Sequence, residues 1–320
     1  MYKNLPNNNL RKASWMFFSL MTVALCFASQ LNQAKAHNCS SSTKAHNCSS
    51  QPAKKFDIEV GACKSFKEAP LLKTADYSYI EVKTRGFLVP DKPEEDFQKN
   101  LKALKKNNLE PYAANSFVKN IRAVGEDADH DKMMEYSEIA FRRAKEAGLK
   151  IIVFGSGSSR KITEGYDKEK AKQQFIAMLK RMGPIAAKYD VTLVIEPLNK
   201  GECNFINTVA EGAEIARAVN HPNIQLLADF YHMLREGEGP QSIIDAGKLL
   251  KHCHIAENIK RASPGTNKED FTEYFAALKK IGYKGRISVE CKWNKKLDQK
   301  KELPAALKYT KDQIAMTNKN

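Results

Sequence analysis

Short apolar runs alternate with amphipathic stretches along the chain from Phe56 onward. Eight of the runs have the length and β-rich composition of strands, at 56–61, 77–82, 109–115, 150–155, 191–196, 224–229, 249–254 and 286–290. Stretches with helical periodicity lie around them, at 66–75, 93–107, 131–148, 168–189, 206–219, 239–248, 268–282 and 300–317. Eight alternating units over about 260 residues have the size of a barrel with eight parallel strands and outer helices. The pattern therefore predicts an α/β fold, a (β/α)8 TIM barrel, in a single domain.

A doubly wound open sheet is the competing architecture. It would place a glycine-rich turn after its first strand, and the segment GACKSFKEAP has no such turn. The glycine-rich segment GSGSSRK at 155–161 follows the fourth strand instead. It lacks the Gly-Lys-Ser/Thr ending of a nucleotide-binding loop, so we interpret it as a tight strand-to-helix turn, with an anion cradle as the alternative.

The first residues differ from the rest of the chain. Arg11 and Lys12 precede an apolar stretch at 15–28, which has the length of a secretory signal core and is short for a membrane-spanning helix. A small-x-small site at 34–36 would allow cleavage, while Cys26 offers a less favoured lipoprotein interpretation. We therefore expect export, to the periplasm or out of the cell. The predicted organisation is a signal peptide at 1–36, a polar linker at 37–54 and the barrel domain at 55–320.

The linker contains a tandem repeat, KAHNCSSSTKAHNCSS, that is polar and rich in serine. Such a segment cannot bury a core, so a flexible linker is the expected role. Chelation of a soft metal is the alternative role for its four donor residues, His37, Cys39, His46 and Cys48. Too few cysteines remain in the domain for a disulfide scaffold, namely Cys63, Cys203, Cys253 and Cys291.

The net charge of +15 raises the question of a nucleic-acid partner. Removal of residues 1–36 leaves 48 basic and 37 acidic side chains, a net charge of +11. The lysines are scattered through amphipathic segments such as FQKNLKALKKNN, where solvated helix faces explain them. We therefore expect no nucleic-acid partner and, in the mature chain, no membrane span. Nothing in the surface sequence predicts the oligomeric state, and a homo-oligomer stays open.

Four side chains stand at the ends of four successive predicted strands: Glu196, Asp229, His254 and Glu290. Side chains at the carboxyl ends of barrel strands converge on one mouth. Carboxylate and imidazole ligands suit a divalent cation and leave positions open for substrate oxygens. The pattern therefore predicts a metal site that supports proton chemistry.

The stretch at 191–293 resembles the xylose-isomerase-like barrels, in particular sugar isomerases and epimerases of the ketose 3-epimerase and hydroxypyruvate isomerase kind. The segments that carry the resemblance are VIEPLNKGE, ADFYHM, HCHIAENIKRASPG and ISVEC. The first half agrees more loosely, through YIEV on the second strand and VFGSGSSR on the fourth.

The resemblance implies a role for each matching residue. Glu196, Asp229, His254 and Glu290 would be the ligands of one divalent ion, which in related barrels is Mn, Co, Mg or Zn. Glu196 and Glu290 would also form the catalytic acid/base pair. The substrate would be contacted by Glu202 and His232.

One departure concerns the arginine that ketose 3-epimerases carry after the His-x-x-Glu segment. Lys260 stands at the expected offset and Arg261 follows it, so either could contact a substrate oxygen. Trp293 could form an apolar wall against a sugar face or fill the barrel rim. His252 could support the site or be a packed polar group, and packing is slightly favoured.

These implications favour an enzyme that abstracts a proton next to the carbonyl of a keto-sugar, acting as an isomerase or epimerase. Export argues against phosphorylated substrates, so a free keto-sugar or keto-glycoside is expected. The near alternative is a lyase or hydratase that eliminates from 3-keto-glycosides. Two further alternatives are an endonuclease for abasic DNA, whose three-zinc site would be rich in histidine, and a sugar-binding barrel without catalysis.

Overall fold

The computed structural model describes residues 55–294 and 297–319, and these form a closed barrel of eight parallel strands with helices outside it. The strands are β1 Val60–Cys63, β2 Tyr79–Lys83, β3 Glu110–Asn115, β4 Ile151–Phe154, β5 Thr192–Ile195, β6 Ile224–Asp229, β7 Leu250–Ile255 and β8 Arg286–Val289. Each strand pairs with the next, and Val60 of β1 pairs with Ile287 of β8 to close the barrel. The predicted fold class is confirmed, although β1 starts four residues later than predicted.

Helices follow the strands as the amphipathic periods predicted. The α-helices are α1 Ala69–Thr74, α2 Glu94–Lys105, α3 His130–Ala147, α4 Gly157–Arg160, α5 Lys168–Lys188, α6 Val209–Val219, α7 Phe230–Glu236, α8 Gln241–Ala246, α9 Thr272–Lys280 and α10 Gln299–Met316. Shorter turns are 3₁₀-helical at Phe66–Glu68, Gly247–Leu249 and Ile259–Arg261 and π-helical at Thr84–Leu88. The sequence periodicity did not predict α7, the helix that starts directly at the end of β6.

Polar residues fix where several helices begin. The side chains of Asp129, Asp167, Thr208 and Asp298 each accept a hydrogen bond from a backbone N–H in the first turn of α3, α5, α6 and α10. These bonds satisfy N–H groups that have no partner within the helix. Asp229 does the same for α7, through Tyr231 N at 2.8 Å. This bond engages one of its oxygens and sets the direction of the other.

The interior of the barrel has an apolar and a polar part. An apolar cluster is made of residues buried on neighbouring strands, Ala113, Ile151, Val153, Val194 and Leu227. The polar part consists of fully buried side chains on β2, β7 and β8, namely Tyr79, Glu81, His252, His254 and Ser288. Buried polar groups are costly unless they bond to one another, so this part requires a built hydrogen-bond network.

The segment GSGSSRK forms a turn from β4 into the short helix α4, as predicted. Arg160, at the end of α4, is fully buried, and its guanidinium donates to the carbonyls of Gly155 and Glu196. The loop is thus tied to the end of β5. The predicted signal peptide and linker lie outside the described residues. Within the described part of the chain, no helix is long and apolar enough to cross a membrane.

Candidate metal centre and active site

The structure brings the four predicted ligands together at the carboxyl end of the barrel. Glu196 follows β5, Asp229 ends β6, His254 lies on β7 and Glu290 follows β8. One ligand atom from each lies within 4.8 Å of the others. Because parallel strands present their carboxyl ends at the same mouth, residues 94 positions apart in sequence meet here.

The imidazole of His254 has two different surroundings. Its Nδ1 faces the ligand cluster, 3.0 Å from Glu196 Oε1 and 3.3 Å from Glu290 Oε2. Its Nε2 lies 3.0 Å from Glu81 Oε1 and 3.1 Å from Glu81 Oε2. A proton held on Nε2 by the Glu81 carboxylate leaves the Nδ1 lone pair for a cation, an arrangement that is common for metal-binding histidines.

Glu81, which bonds to His254, was not among the site residues predicted from the sequence. It is fully buried on β2 and also lies 2.8 Å from His252 Nε2. Ser288 Oγ is 3.3 Å from the same His252 nitrogen and 2.9 Å from the hydroxyl of Tyr79. His252 is therefore more than a packed polar group, because it bonds to the Glu81 carboxylate, which also bonds to His254. The segment YIEV contained the only sequence signal, an acid inside an otherwise apolar strand.

The donor set of the cluster fits a divalent cation. Three carboxylates and one imidazole, which is neutral when it binds a cation, are ligands for Mn, Co, Mg or Zn. Three of the four residues are buried, and Glu290 keeps 23% of its side chain exposed. Buried carboxylates that converge on one point repel each other unless a cation neutralises them. The residues that would hold the ion are those predicted from sequence, and the fit does not choose among the metals.

The surroundings of the cluster shift the pKa values of its carboxylates in different directions. Burial raises the pKa of Glu196, and it raises the pKa of Asp229 to about 6 although Arg261 and His254 oppose it. Burial also acts to raise the pKa of Glu290, but Arg261 and His254 outweigh it and lower that pKa to about 2. For His254 burial acts in the opposite direction, yet the surrounding carboxylates raise its pKa well above the usual value. Glu196 and Glu290 thus differ in proton affinity, as an acid/base pair requires.

Arg261 is the basic residue that reaches the cluster. Its guanidinium bonds to Glu290, lies 3.1 Å from Asp229 Oδ2 and stacks over Tyr231 with 4.6 Å to the ring centroid. Lys260 is exposed and lines neither of the two cavities that meet at Glu290, so the structure does not bring it to the site. Both residues have positive φ, 58° and 51°, a strained backbone for non-glycine residues. Because of this turn, Arg261 reaches the cluster and Lys260 does not.

His232 and Glu202, for which the resemblance implied substrate contact, line the same cavity as Glu196 and Glu290. Burial lowers the pKa of His232 to about 4, so its ring is neutral at pH 7. Its Nδ1 accepts from Asn199 N at 3.1 Å, which places the proton on Nε2. Among the described residues this Nε2 has no hydrogen-bond partner, and the nearest Asp229 oxygen is 3.5 Å away. Glu202 accepts from Asn199 Nδ2 at 3.2 Å and is half exposed.

Two further residues fix the positions of Glu290 and Glu196. Asn115, at the end of β3, donates from Nδ2 to Glu290 Oε1 at 2.8 Å. Gly155 leaves the space that Glu196 fills, because a Cβ at this position would lie 2.0 Å from Glu196 Oε2. Sequence patterns gave no signal for Asn115. The glycine belongs to the segment that was interpreted as a turn.

Trp293 lines a cavity beside the cluster and is also packed against the hydrophobic core. Its ring lies under the Lys64 ammonium, with 4.8 Å between Nζ and the ring centroid. The position of Trp293 is compatible with both interpretations, an apolar wall beside Glu290 and a side chain that fills the rim.

Together, these observations define a closed parallel barrel whose mouth carries three carboxylates and one imidazole, a set of ligands suited to a divalent cation. A model of the xylose isomerase-like TIM barrel family matches residues 70–313. The chain belongs to this family.

Relatives of known activity are sugar epimerases and isomerases. The chain is 39% identical to L-ribulose 3-epimerase from Methylomonas sp. over 116 residues, which are 36% of this chain and 40% of that protein. It is 26% identical to inosose isomerase from Bacillus subtilis over 227 residues, 67% of this chain and 79% of that protein. The match to the epimerase thus spans less than half of that protein's length.

Solved structures show the same fold. The crystal structure of a D-psicose 3-epimerase in the presence of D-fructose superimposes with a TM-score of 0.71 at 20% identity, covering 81% of this chain and 100% of that one. A structure of IOLI protein with a binding zinc atom gives 0.64 at 22% identity, covering 81% and 99%. A protein with this fold therefore binds a metal ion.

Proposed function

We propose that the protein is a metal-dependent sugar isomerase or epimerase that abstracts a proton next to the carbonyl of a non-phosphorylated keto-sugar. The observation that carries the proposal is the convergence of Glu196 and Glu290, from two different strands, on the same point as Asp229 and His254. The names of the epimerase and isomerase relatives support the reaction class.

The residues of the cluster have different roles in the proposed reaction. A divalent cation bound by the cluster would supply the Lewis acidity that stabilises negative charge on substrate oxygens. One oxygen of Glu196 or Glu290 takes the proton next to the carbonyl, and the other carboxylate delivers a proton. Delivery to the opposite face of the same carbon gives epimerisation, and delivery to the neighbouring carbon gives isomerisation.

Neighbouring groups would orient the substrate. The Nε2–H of His232 is a free donor at the cluster and suits a sugar oxygen. Arg261 adds a cation beside Glu290, which favours the ionised carboxylate and can donate to a substrate oxygen. Asn115 holds Glu290 by a hydrogen bond and thereby fixes the direction of its oxygens.

The test is proton exchange in heavy water with metal-loaded protein, followed by NMR with free ketoses and 3-keto-glycosides. Deuterium next to the carbonyl in an intact sugar is the expected result. Loss of the aglycone would instead assign the lyase reaction, and absence of exchange with every substrate would refute both. The Glu290→Gln variant should lose at least about 10³-fold in turnover while it unfolds at a similar temperature. Retained activity would remove Glu290 from the mechanism.

The endonuclease alternative finds less support. A three-zinc site needs several histidines, whereas His254 is the one histidine of the ligand cluster among the described residues. His252 is bonded to Glu81 and His232 to Asn199. Failure to cut abasic DNA with any divalent metal would exclude this reaction.

Export through residues 1–36 is part of the proposal, and it rests on the basic and apolar pattern of these residues alone. Cell fractionation with N-terminal sequencing of the mature protein would test it. Cleavage after Ala36 is expected, and an intact N-terminus in the cytoplasm would contradict it.

A further inference from the structure

The mouth of the barrel contains two neighbouring cavities. The first, the reactive compartment, has about 230 Å³ and is lined by Glu196, His232 and Glu202. The second, the Trp293 compartment, has about 460 Å³ and opens between the loops after β1, β2 and β8. Four residues line both, Asn115, Ser116, Arg261 and Glu290. A molecule held at the carboxylates can therefore continue into the second cavity.

The two cavities together have three times the volume of the reactive compartment alone. Cavities that hold small molecules usually measure about 300–1,000 Å³. The reactive compartment alone falls below this range, and the adjoining compartment is twice as large. A free ketose would occupy the carboxylate side and leave the larger space to water.

The lining of the Trp293 compartment suits a sugar ring. Trp293 is partly exposed and supplies aromatic surface, against which the C–H face of a pyranose can pack, whereas Phe66 and Phe87 in the same lining are buried. Lys64 supplies polar groups beside it, since its Nζ lies 4.8 Å from the Trp293 ring centroid and 3.2 Å from Glu68 Oε1. Sugar hydroxyls both donate and accept hydrogen bonds, so they can bond to the ammonium of Lys64 and the carboxylate of Glu68.

The charge of the compartment does not favour an anionic occupant. Lys64 is almost completely buried and is neutralised by Glu68, and it also donates to Gln299 at 2.9 Å. Arg261 is likewise paired, with Glu290 and Asp229. The buried cations therefore have partners within the chain, as expected for a site that binds neutral hydroxyl groups.

We propose that the Trp293 compartment binds the second sugar ring of a keto-disaccharide whose keto ring occupies the reactive compartment. The inference rests on the proposed function for the keto ring, and it makes the substrate a glycoside instead of a free ketose. Trp293 then determines specificity by packing against the second ring.

The first test measures binding without turnover. Trp15 and Trp293 are the two tryptophans, and Trp15 lies in the predicted signal peptide, so protein that starts at residue 37 carries Trp293 as its one tryptophan and its one source of tryptophan fluorescence. Titration with maltose should change this fluorescence saturably, with a dissociation constant about tenfold lower than that for glucose. Equal affinity for the two sugars, or no saturable change with maltose, would overturn the proposal. This readout does not depend on the metal or on catalysis.

The second test compares turnover of 3-keto-maltose with that of methyl 3-keto-glucoside, which shares the keto ring but lacks the second sugar. The wild-type kcat/KM should be about tenfold higher for the disaccharide, through a lower KM. Trp293→Ala should remove this preference and Trp293→Phe should restore most of it. Leu297→Ala is the control, because Leu297 is exposed on the same loop and does not line the compartment.

The outcomes separate the two hypotheses. Exchange on both substrates with no preference for the disaccharide would refute the second-ring site and leave the proposed function intact. An equal loss on both substrates in Trp293→Ala would show a general structural role and would also refute it. No exchange on any substrate would refute the proposed function, and the fluorescence titration would then decide the second-ring site alone.

Discussion

Replacement of Glu81 by glutamine is the perturbation that most directly tests the role of the buried network. The carboxylate accepts hydrogen bonds from His252 Nε2 and His254 Nε2, at 2.8 to 3.1 Å, and is fully buried. His252 and His254 outweigh the effect of burial and lower its pKa, so it is ionised. Glutamine has nearly the same volume but presents an N–H₂ group where one oxygen stood. A donor then faces a donor, and His254 is no longer fixed with Nδ1 toward the cluster.

The magnitude follows from this loss of orientation. Removal of a partner that orients a metal ligand costs about 10- to 100-fold in metal affinity, or about 1.4–2.7 kcal/mol. The metal-free protein should also lose stability. Loss of one partner from a buried charged network costs about 3–5 kcal/mol, although Glu196 and Glu290 still face His254 Nδ1.

The assay is calorimetric titration of metal-free protein with Mn²⁺ and with Zn²⁺, alongside urea unfolding. Glu202→Gln is the matched control, since Glu202 lies at the mouth and is not bonded to His254. We expect weaker binding of both metals in Glu81→Gln and affinity within about twofold of wild type in the control. A folded Glu81→Gln protein that binds metal as tightly as wild type would refute the reasoning.

The remaining predictions concern packing and charge. Gly155→Ala should lower kcat/KM about 100-fold, because its Cβ would lie 2.0 Å from Glu196 Oε2 and displace that carboxylate. Arg143→Met should lower the free energy of unfolding in urea by about 3–5 kcal/mol, since the buried guanidinium donates to three backbone carbonyls and to Glu94. Glu94→Gln should lose less stability in acid than wild type. Hydrogen bonding to Arg142 is the largest cause that lowers the Glu94 pKa to about 2. The ionised Glu94 therefore stabilises the fold above pH 4.5, and this stabilisation is lost as the pH falls toward 2. Because Glu94 is well exposed, the effect is about 1 kcal/mol or less, measured by urea titrations at pH 6 and pH 3.

Each of these predictions has its own control. Gly239→Ala should leave kcat/KM unchanged, because no atom lies within 4 Å of the added Cβ, and an equal loss in both glycine variants would contradict the argument. Arg142→Met should cost about 1 kcal/mol or less, since Arg142 is exposed. A similar cost for the two arginines would show that burial of Arg143 does not matter. Parallel acid titrations of wild type and Glu94→Gln would contradict the pKa shift.

The sequence alone determined the architecture, for reasons that particular elements make clear. The alternation of β-rich runs and helical periods placed all eight strands, because each strand is buried on both faces and each helix on one. Boundaries were less well determined. The run at 56–61 was predicted as the first strand, but β1 is Val60–Cys63, since pairing with β2 and β8 decides where the ladder begins.

The four proposed ligands could also be found from sequence. Each lies within one residue of the end of a strand, and in a parallel barrel all such positions share one mouth. Their convergence within 4.8 Å follows from topology, so their spacing along the chain carried enough information. The roles of these residues in binding and catalysis stay predictions until the proposed experiments are done.

The partners of the proposed ligands were decided only by the tertiary structure. Glu81 is 173 residues from His254 in sequence, and nothing in its own segment shows that the two will bond. The choice of Arg261 over Lys260 depends on a strained turn with positive φ, and the Trp293 compartment depends on three separate loops. Local periodicity reports which face of an element is buried, whereas hydrogen bonds between strands and the shape of a cavity depend on side-chain positions that only packing of the complete barrel fixes.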